Sequence, residues 1–156
     1  MSEEYVAIDK SRLIIPGLEG LYRRLAPLGY ALVRVATGVL IVPGGYEKMF
    51  HGGVYRIATN NVVKVGVEPA IFCAWLTAGT EFFGTILLAI GLWTRPAAFA
   101  LVILLAAITF RIRWEAGYFW KATGWEVTLL LCLVCLAYLF GGGGRYSLDR
   151  RIGREF

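Results

Sequence analysis

The chain has 156 residues, of which 58% are hydrophobic and 17% charged, with a mean hydropathy of +0.63 and a net charge of +5. A charged fraction so far below the roughly 25% of soluble domains excludes an ordinary water-soluble fold. No basic soluble module is present to hold nucleic acid, so the positive charge reads as anchoring to anionic lipid.

In chain order, the N-terminal MSEEYVAIDKSR is acidic and polar and lacks the basic start and apolar core of a secretory signal. No cleavage is expected. Residues 11–25, SRLIIPGLEGLYRRL, mix aliphatic and basic residues as an interfacial helix does. Four apolar runs follow, at about 27–50, 69–93, 95–112 and 122–140, and a run of ~18 or more can cross a bilayer. The first two begin at Pro27 and Pro69, which suits a first helical turn. The second and third are joined so tightly that they must form an antiparallel hairpin. The loop HGGVYRIATNNVVKVGVEP, with Val54, Ile57, Val62, Val63, Val65 and Val67, is long enough to cap the bundle or to lie exposed.

The expected fold is all-α, an integral membrane antiparallel four-helix bundle with short interfacial segments. Residues 1–26 form an N-terminal segment, 27–140 the membrane domain and 141–156 a basic tail. Lys10, Arg12, Arg23, Arg24, Arg95, Arg145, Arg150, Arg151 and Arg154 fall on the side of the termini, against Lys48, Arg56, Lys64, Arg111, Arg113 and Lys121 on the other. The positive-inside rule then puts both termini in the cytoplasm of a cell that carries the chain in its plasma or inner membrane.

Polar residues inside the spans carry the functional information, because an ionisable side chain in hydrocarbon costs several kcal/mol and normally faces the bundle interior. Arg34, Gly38, Ile41, Gly45 and Lys48 share one face of the first span; Cys73, Thr77, Glu81, Gly84, Leu88 and Gly91 share one face of the second. Glu81 is expected to pair with Arg34, either to fix helix register or to line a polar pocket for a head group or a proton. Glu47, Lys48, His51, Arg111 and Glu126 gather at the outer ends. They read either as an interfacial belt with Trp114, Tyr118, Trp120 and Trp125 or as an outer polar pocket in which Glu126 pairs with Lys48 or Arg111 and His51 passes protons. Pro43, Gly44 and Gly45 predict a kink, since proline removes a helical hydrogen bond and clashes with the carbonyl of Val39. That bend should face the interior and turn Glu47, Lys48 and His51 toward Arg111 and Glu126.

Cys132 and Cys135 form C-x-x-C within unbroken apolar helix with no activating charge nearby, so they read as inert. Three cysteines and one histidine in separate segments give no metal-ligand spacing. No cofactor is expected to be bound by this chain alone.

The order LVRVATGVLIVPGGYEKMF, EFFGTILLAIGLWTRPAAFALVILLAAI and GWEVTLLLCLVCLAYLFGGGGRYSLD resembles the DoxX family of small four-helix membrane proteins. The resemblance rests on Arg34, Gly38, Gly45 and Lys48; on Glu81, Gly84, Gly91, Thr94 and Arg95; on Glu126; and on the closing Gly142, Gly144, Arg145, Tyr146, Ser147, Leu148 and Asp149. Two departures are Gly142-Gly143-Gly144 in place of the family's usual Gly-Pro-Gly, and Pro43 to Gly45 where a His or Trp often stands. The resemblance implies membrane redox work: an accessory or quinone-proximal subunit of a larger respiratory or electron-transfer oxidoreductase, meeting quinone at a surface shared with other membrane subunits. Two alternatives stay open, a stand-alone thiosulfate:quinone-type oxidoreductase and a small transporter or assembly factor with a midplane site at Glu81.

Overall fold

The computed structural model describes residues 13–63, 66–119, 121 and 123–153. Several sequence expectations lie outside the described residues: residues 1–12, Lys64 and Val65 of the cap, Trp120 of the aromatic belt, Ala122 at the start of the fourth run, and Arg154 in the tail. The described chain is helical throughout. Three helices are long and apolar enough to cross a membrane, α1 (Glu19–Phe50), α3 (Ala70–Ile90) and α4 (Thr94–Ala116), and α5 (Glu126–Gly141) is a shorter apolar helix. Two short elements complete the described fold, α2 (Gly53–Ile57) and, in the tail, α6 (Leu148–Ile152). Large apolar side chains such as Leu40, Phe72, Leu76, Leu133 and Phe140 point outward. An apolar exterior of that extent is a surface for lipid.

α1 begins at Glu19, eight residues before the expected start, so the interfacial segment is in part the first two turns of this helix. An exposed-side pair, Arg23 with Glu19 at 3.3 Å and one turn apart, supports that extension. Pro43, where a kink was expected, lies within α1, which runs on to Phe50. Pro43 sits on the exposed face, while Gly45 is buried on the opposite side.

That burial is the seam between α1 and α3. A Cβ at Gly38 would fall 2.5 Å from the Ala89 side chain, and one at Gly45 would fall 2.6 Å from the Phe82 backbone nitrogen. As α1 advances from 38 to 45, α3 recedes from 89 to 82, so the two helices are antiparallel and almost in backbone contact. Small residues at this spacing are what closely packed membrane helices require. α3 and α4 are joined at Gly91, whose φ of 72° a side chain would strain. α4 and α5 then share the core of Ala98, Leu101, Leu105, Cys132, Cys135 and Tyr138.

At the far end of α1 the loop is not extended. α2 continues into a π-helical turn (Ala58–Val62), and Val54, Ile57 and Ala58 bury against Ala74 and Ala78 of α3. This segment caps one end of the helices, called here the loop end. The opposite end, where Gly91 meets the C-terminal residues, is the tail end.

The seam predicts a large asymmetry among glycines. Gly45→Leu should destabilise the protein by about 1–3 kcal/mol through overpacking against backbone. Gly29→Ala, where nothing lies within 4 Å, should leave stability unchanged or raise it by up to about 1 kcal/mol. Thermal unfolding in mild detergent reads both; a Gly45→Leu protein as stable as wild type would show that the helices are not in backbone contact.

Candidate functional site

Two polar centres sit on the buried face of α1, separated by fourteen residues, or about 21 Å of helix. At the tail end is Arg34, only 2% exposed. Its guanidinium donates to three backbone carbonyls: Nε to Ala89 at 3.3 Å, Nη1 to Gly143, and Nη2 to Tyr146 at 2.9 Å. Arg34 therefore does not pair with Glu81. It lies level with Ala89, eight residues and about 12 Å along α3 from that carboxylate, and nearer acceptors satisfy it.

The tail supplies those acceptors because a second contact holds it in place. The Asp149 carboxylate accepts from the Trp93 amide at 2.7 Å and from the Thr94 amide at 2.9 Å and hydroxyl at 2.7 Å. It thus caps the first turn of α4 from 55 residues away, in a helix whose own preceding residue, Trp93, offers no capping side chain. The Asp149 amide donates to the Gly91 carbonyl at 2.9 Å. Sequence reading attached these tail residues only to a resemblance; an aspartate one turn after the glycines was the signal that a cap was being brought in from afar.

The second centre is a cavity of about 690 Å³ toward the loop end. Its floor is the ion pair of Lys48 Nζ with Glu81 Oε2, in which the side chains are 23% and 10% exposed. Glu81 stands in a π-helical turn, Thr80–Gly84, where one extra residue per turn breaks the α-helical spacing, a feature common at functional sites. The Thr85 hydroxyl donates to the Glu81 carbonyl, and also to that of Phe82 at 3.0 Å. Gly44 leaves the space that the carboxylate uses, since a Cβ there would fall 2.9 Å from Glu81 Oε1. The walls are chiefly aliphatic, with Leu40 and Ile41 from α1, Leu104, Leu105 and Ile108 from α4, and Leu131 from α5.

Arg111 and Arg113 are the other charged residues of the lining. Both belong to a further π-helical turn, Ile108–Arg113, and Arg113 Nη1 approaches the Gly124 carbonyl at 3.4 Å. Three cations and one carboxylate thus share the described cavity wall.

Of the five residues expected at an outer polar pocket, Lys48 and Arg111 reach this cavity. Glu47 does not: it is exposed and bonds Arg56 at 2.6 Å. His51 is exposed against the Tyr46 ring, 5.3 Å between centroids. The reason is the unbroken helix. Glu47 sits about 100° round α1 from Lys48, so the rotation that brings Lys48 inward carries Glu47 out, and His51 lies just past the end of the helix. Glu126 begins α5 half-buried, beside Val127 and Thr128 of the wall, and the expected Glu126–Lys48 pair is replaced by Glu81–Lys48. Trp114 and Trp125 stack at 5.2 Å, with Tyr118 edge-on to Trp125 at 5.0 Å, as an aromatic cluster at this end. Cys135 is fully buried and Cys132 nearly so, its thiol 3.7 Å from the Val102 carbonyl.

Comparison with known proteins places residues 29–114 in a match to the DoxX family. An uncharacterized protein of Haemophilus influenzae is 30% identical over 133 residues, covering 83% of this chain and 94% of that protein. An uncharacterized membrane protein of Mycobacterium tuberculosis is 28% identical over 152 residues, covering 90% of this chain and 91% of that one. No solved structure matches the chain.

The two centres give separable outcomes. Lys48→Met alone or Glu81→Leu alone should cost about 3 kcal/mol, because each strands a buried polar partner, whereas the two together should be close to wild type. Strictly additive losses in that cycle would show that the two residues do not interact. Arg34→Gln should instead release the tail, raising the rate of tryptic cleavage at Arg150 about tenfold through local unfolding; a tail as resistant as wild type would mean that Asp149 holds it unaided.

Proposed function

The chain belongs to the DoxX family of membrane proteins, and we propose that it acts there as a ligand-holding subunit of a membrane electron-transfer complex, with the loop-end cavity as its quinone site. In this reading the three long helices and α5 form four antiparallel crossings with both termini in the cytoplasm. α5, at 16 residues, is about 24 Å long, and flanking residues such as Trp125 make up the remaining depth at the interface.

The observation that carries the reading is the Lys48–Glu81 pair at the floor of an apolar-walled cavity. A quinone ring is flat and apolar with two carbonyl acceptors. The Lys48 ammonium is a donor for one of them, and the aliphatic walls exclude the water that would compete for it. Reduction of a quinone consumes two electrons and two protons. Glu81 is a carboxyl group at the floor through which a proton can be exchanged with the head group. The electrons come, in this reading, from a redox group on a partner subunit.

A second reading has one observation in its favour. Arg111 and Arg113 give the cavity more positive charge than a neutral quinone needs, which suits a small inorganic anion such as thiosulfate, with this chain then delivering the anion's electrons to quinone.

Purified protein in lipid nanodiscs should bind a ubiquinone or menaquinone analogue, with Lys48→Met weakening that binding about tenfold or more. Unaltered affinity in the variant would remove Lys48 from the site. Thiosulfate that competes with the quinone would favour the second reading.

A further inference from the structure

The cavity is closed on some sides and open on another. α1 and α5 meet at the tail end, where the Tyr30 and Tyr138 rings lie 4.8 Å apart, Tyr138 donates to the Tyr30 carbonyl at 2.8 Å, and Tyr30 donates to the Gly142 carbonyl at 2.9 Å. Toward the loop end both helices line the cavity, α1 with Leu40 and Ile41 and α5 with Val127, Thr128 and Leu131. Between α1 and α3, Gly38 and Gly45 leave no room even for a methyl group. Between α4 and α5 the core residues Leu101, Leu105, Cys132 and Cys135 fill the space. Leu40 is different: it lines the cavity yet is 70% exposed on the apolar exterior. The cavity wall therefore runs out onto the lipid-facing surface.

Resting on the reading that this cavity holds a ligand, we infer that the ligand enters sideways from the bilayer, between α1 and α5, and is a molecule with a long isoprenoid or alkyl tail. The head group reaches Lys48 and Glu81; the tail leaves past Leu40 and Leu131 into lipid. Leu40 and Lys48 are eight residues apart, so about 12 Å of α1 separates the polar floor from the exit, and aliphatic side chains line that stretch. A water-soluble ligand has no use for such a slot. A tailed one gains from it twice, by burying chain against Leu40, Leu104 and Leu131 and by never leaving the membrane. With both termini cytoplasmic, the slot opens into the outer half of the bilayer.

The test uses the full-length protein in nanodiscs and two probes, a decyl-tailed quinone and the same ring with a methyl group in place of the tail. The wild type should bind the tailed quinone about 100-fold more tightly than the tail-less ring, after correction for partitioning into lipid. Leu40→Trp with Leu131→Trp should reduce affinity for the tailed quinone about tenfold more than it reduces that for the tail-less ring. The milder Leu40→Phe should give a smaller loss in the same direction. Val39→Trp, which adds the same bulk on the lipid-facing side next to the slot, should change neither. Wild-type affinity for the tailed quinone in both slot variants, or equal wild-type affinity for the two probes, would overturn the sideways route while leaving the binding site intact. If neither probe binds the wild type, the ligand-holding function itself falls, and the route with it.

Discussion

A guanidinium buried within a membrane helix has to be met by acceptors, and the fold is arranged around meeting that of Arg34. Placing such a charge at the centre of a spanning helix costs about 2.5–3.5 kcal/mol on insertion scales. The cost is offset by carbonyls drawn from the α3–α4 turn and from the tail. Bringing these together requires Gly91 in its left-handed conformation and a tail held by Asp149. One side chain thus joins α1, the central turn and the residues after α5. With that end tied, the four helices have little freedom to separate there.

The loop end follows a different rule. Its charges are side chains facing side chains, Lys48 against Glu81 with two arginines nearby. Backbone carbonyls held in a turn cannot move without unfolding the turn, whereas a lysine and a carboxylate can exchange partners with a bound molecule at modest cost. The first centre is therefore suited to architecture and the second to chemistry. The three described π-helical turns, Ala58–Val62, Thr80–Gly84 and Ile108–Arg113, all border the cavity. Wider turns there set the carboxylate and the arginines off the regular spacing of their helices.

Much of this was legible in the residues. The stripe of Arg34, Gly38, Ile41, Gly45 and Lys48 is the inner face of α1: four of the five are buried and Lys48 is half-buried. Helical periodicity alone is enough to find such a face. Periodicity does not say which charge on one stripe meets which charge on the next, because that depends on the relative depth of two helices, and the expected Arg34–Glu81 pair gives way to Lys48–Glu81. The glycine contacts settle the depth, with Gly45 opposite Phe82 and Gly38 opposite Ala89. Proline and two glycines in a row are breakers in isolation, but with the ring on the outer face and the glycines against α3 the helix runs on to Phe50, and Glu47 and His51, expected to turn inward, are exposed. The tail cap was hidden because its two halves are 55 residues apart.

The long separation between Arg34 and its acceptors bears on how the chain is made. Gly143 stands 109 residues after Arg34, and at synthesis rates of about 5–20 residues per second the first helix waits on the order of 5–20 s for that carbonyl to emerge. Of the three acceptors of Arg34 only Ala89, 55 residues on, is made earlier; Gly143 and Tyr146 come with the tail. The buried charge is therefore fully met only once the end of the chain has been made, which couples completion of the helix packing to completion of synthesis.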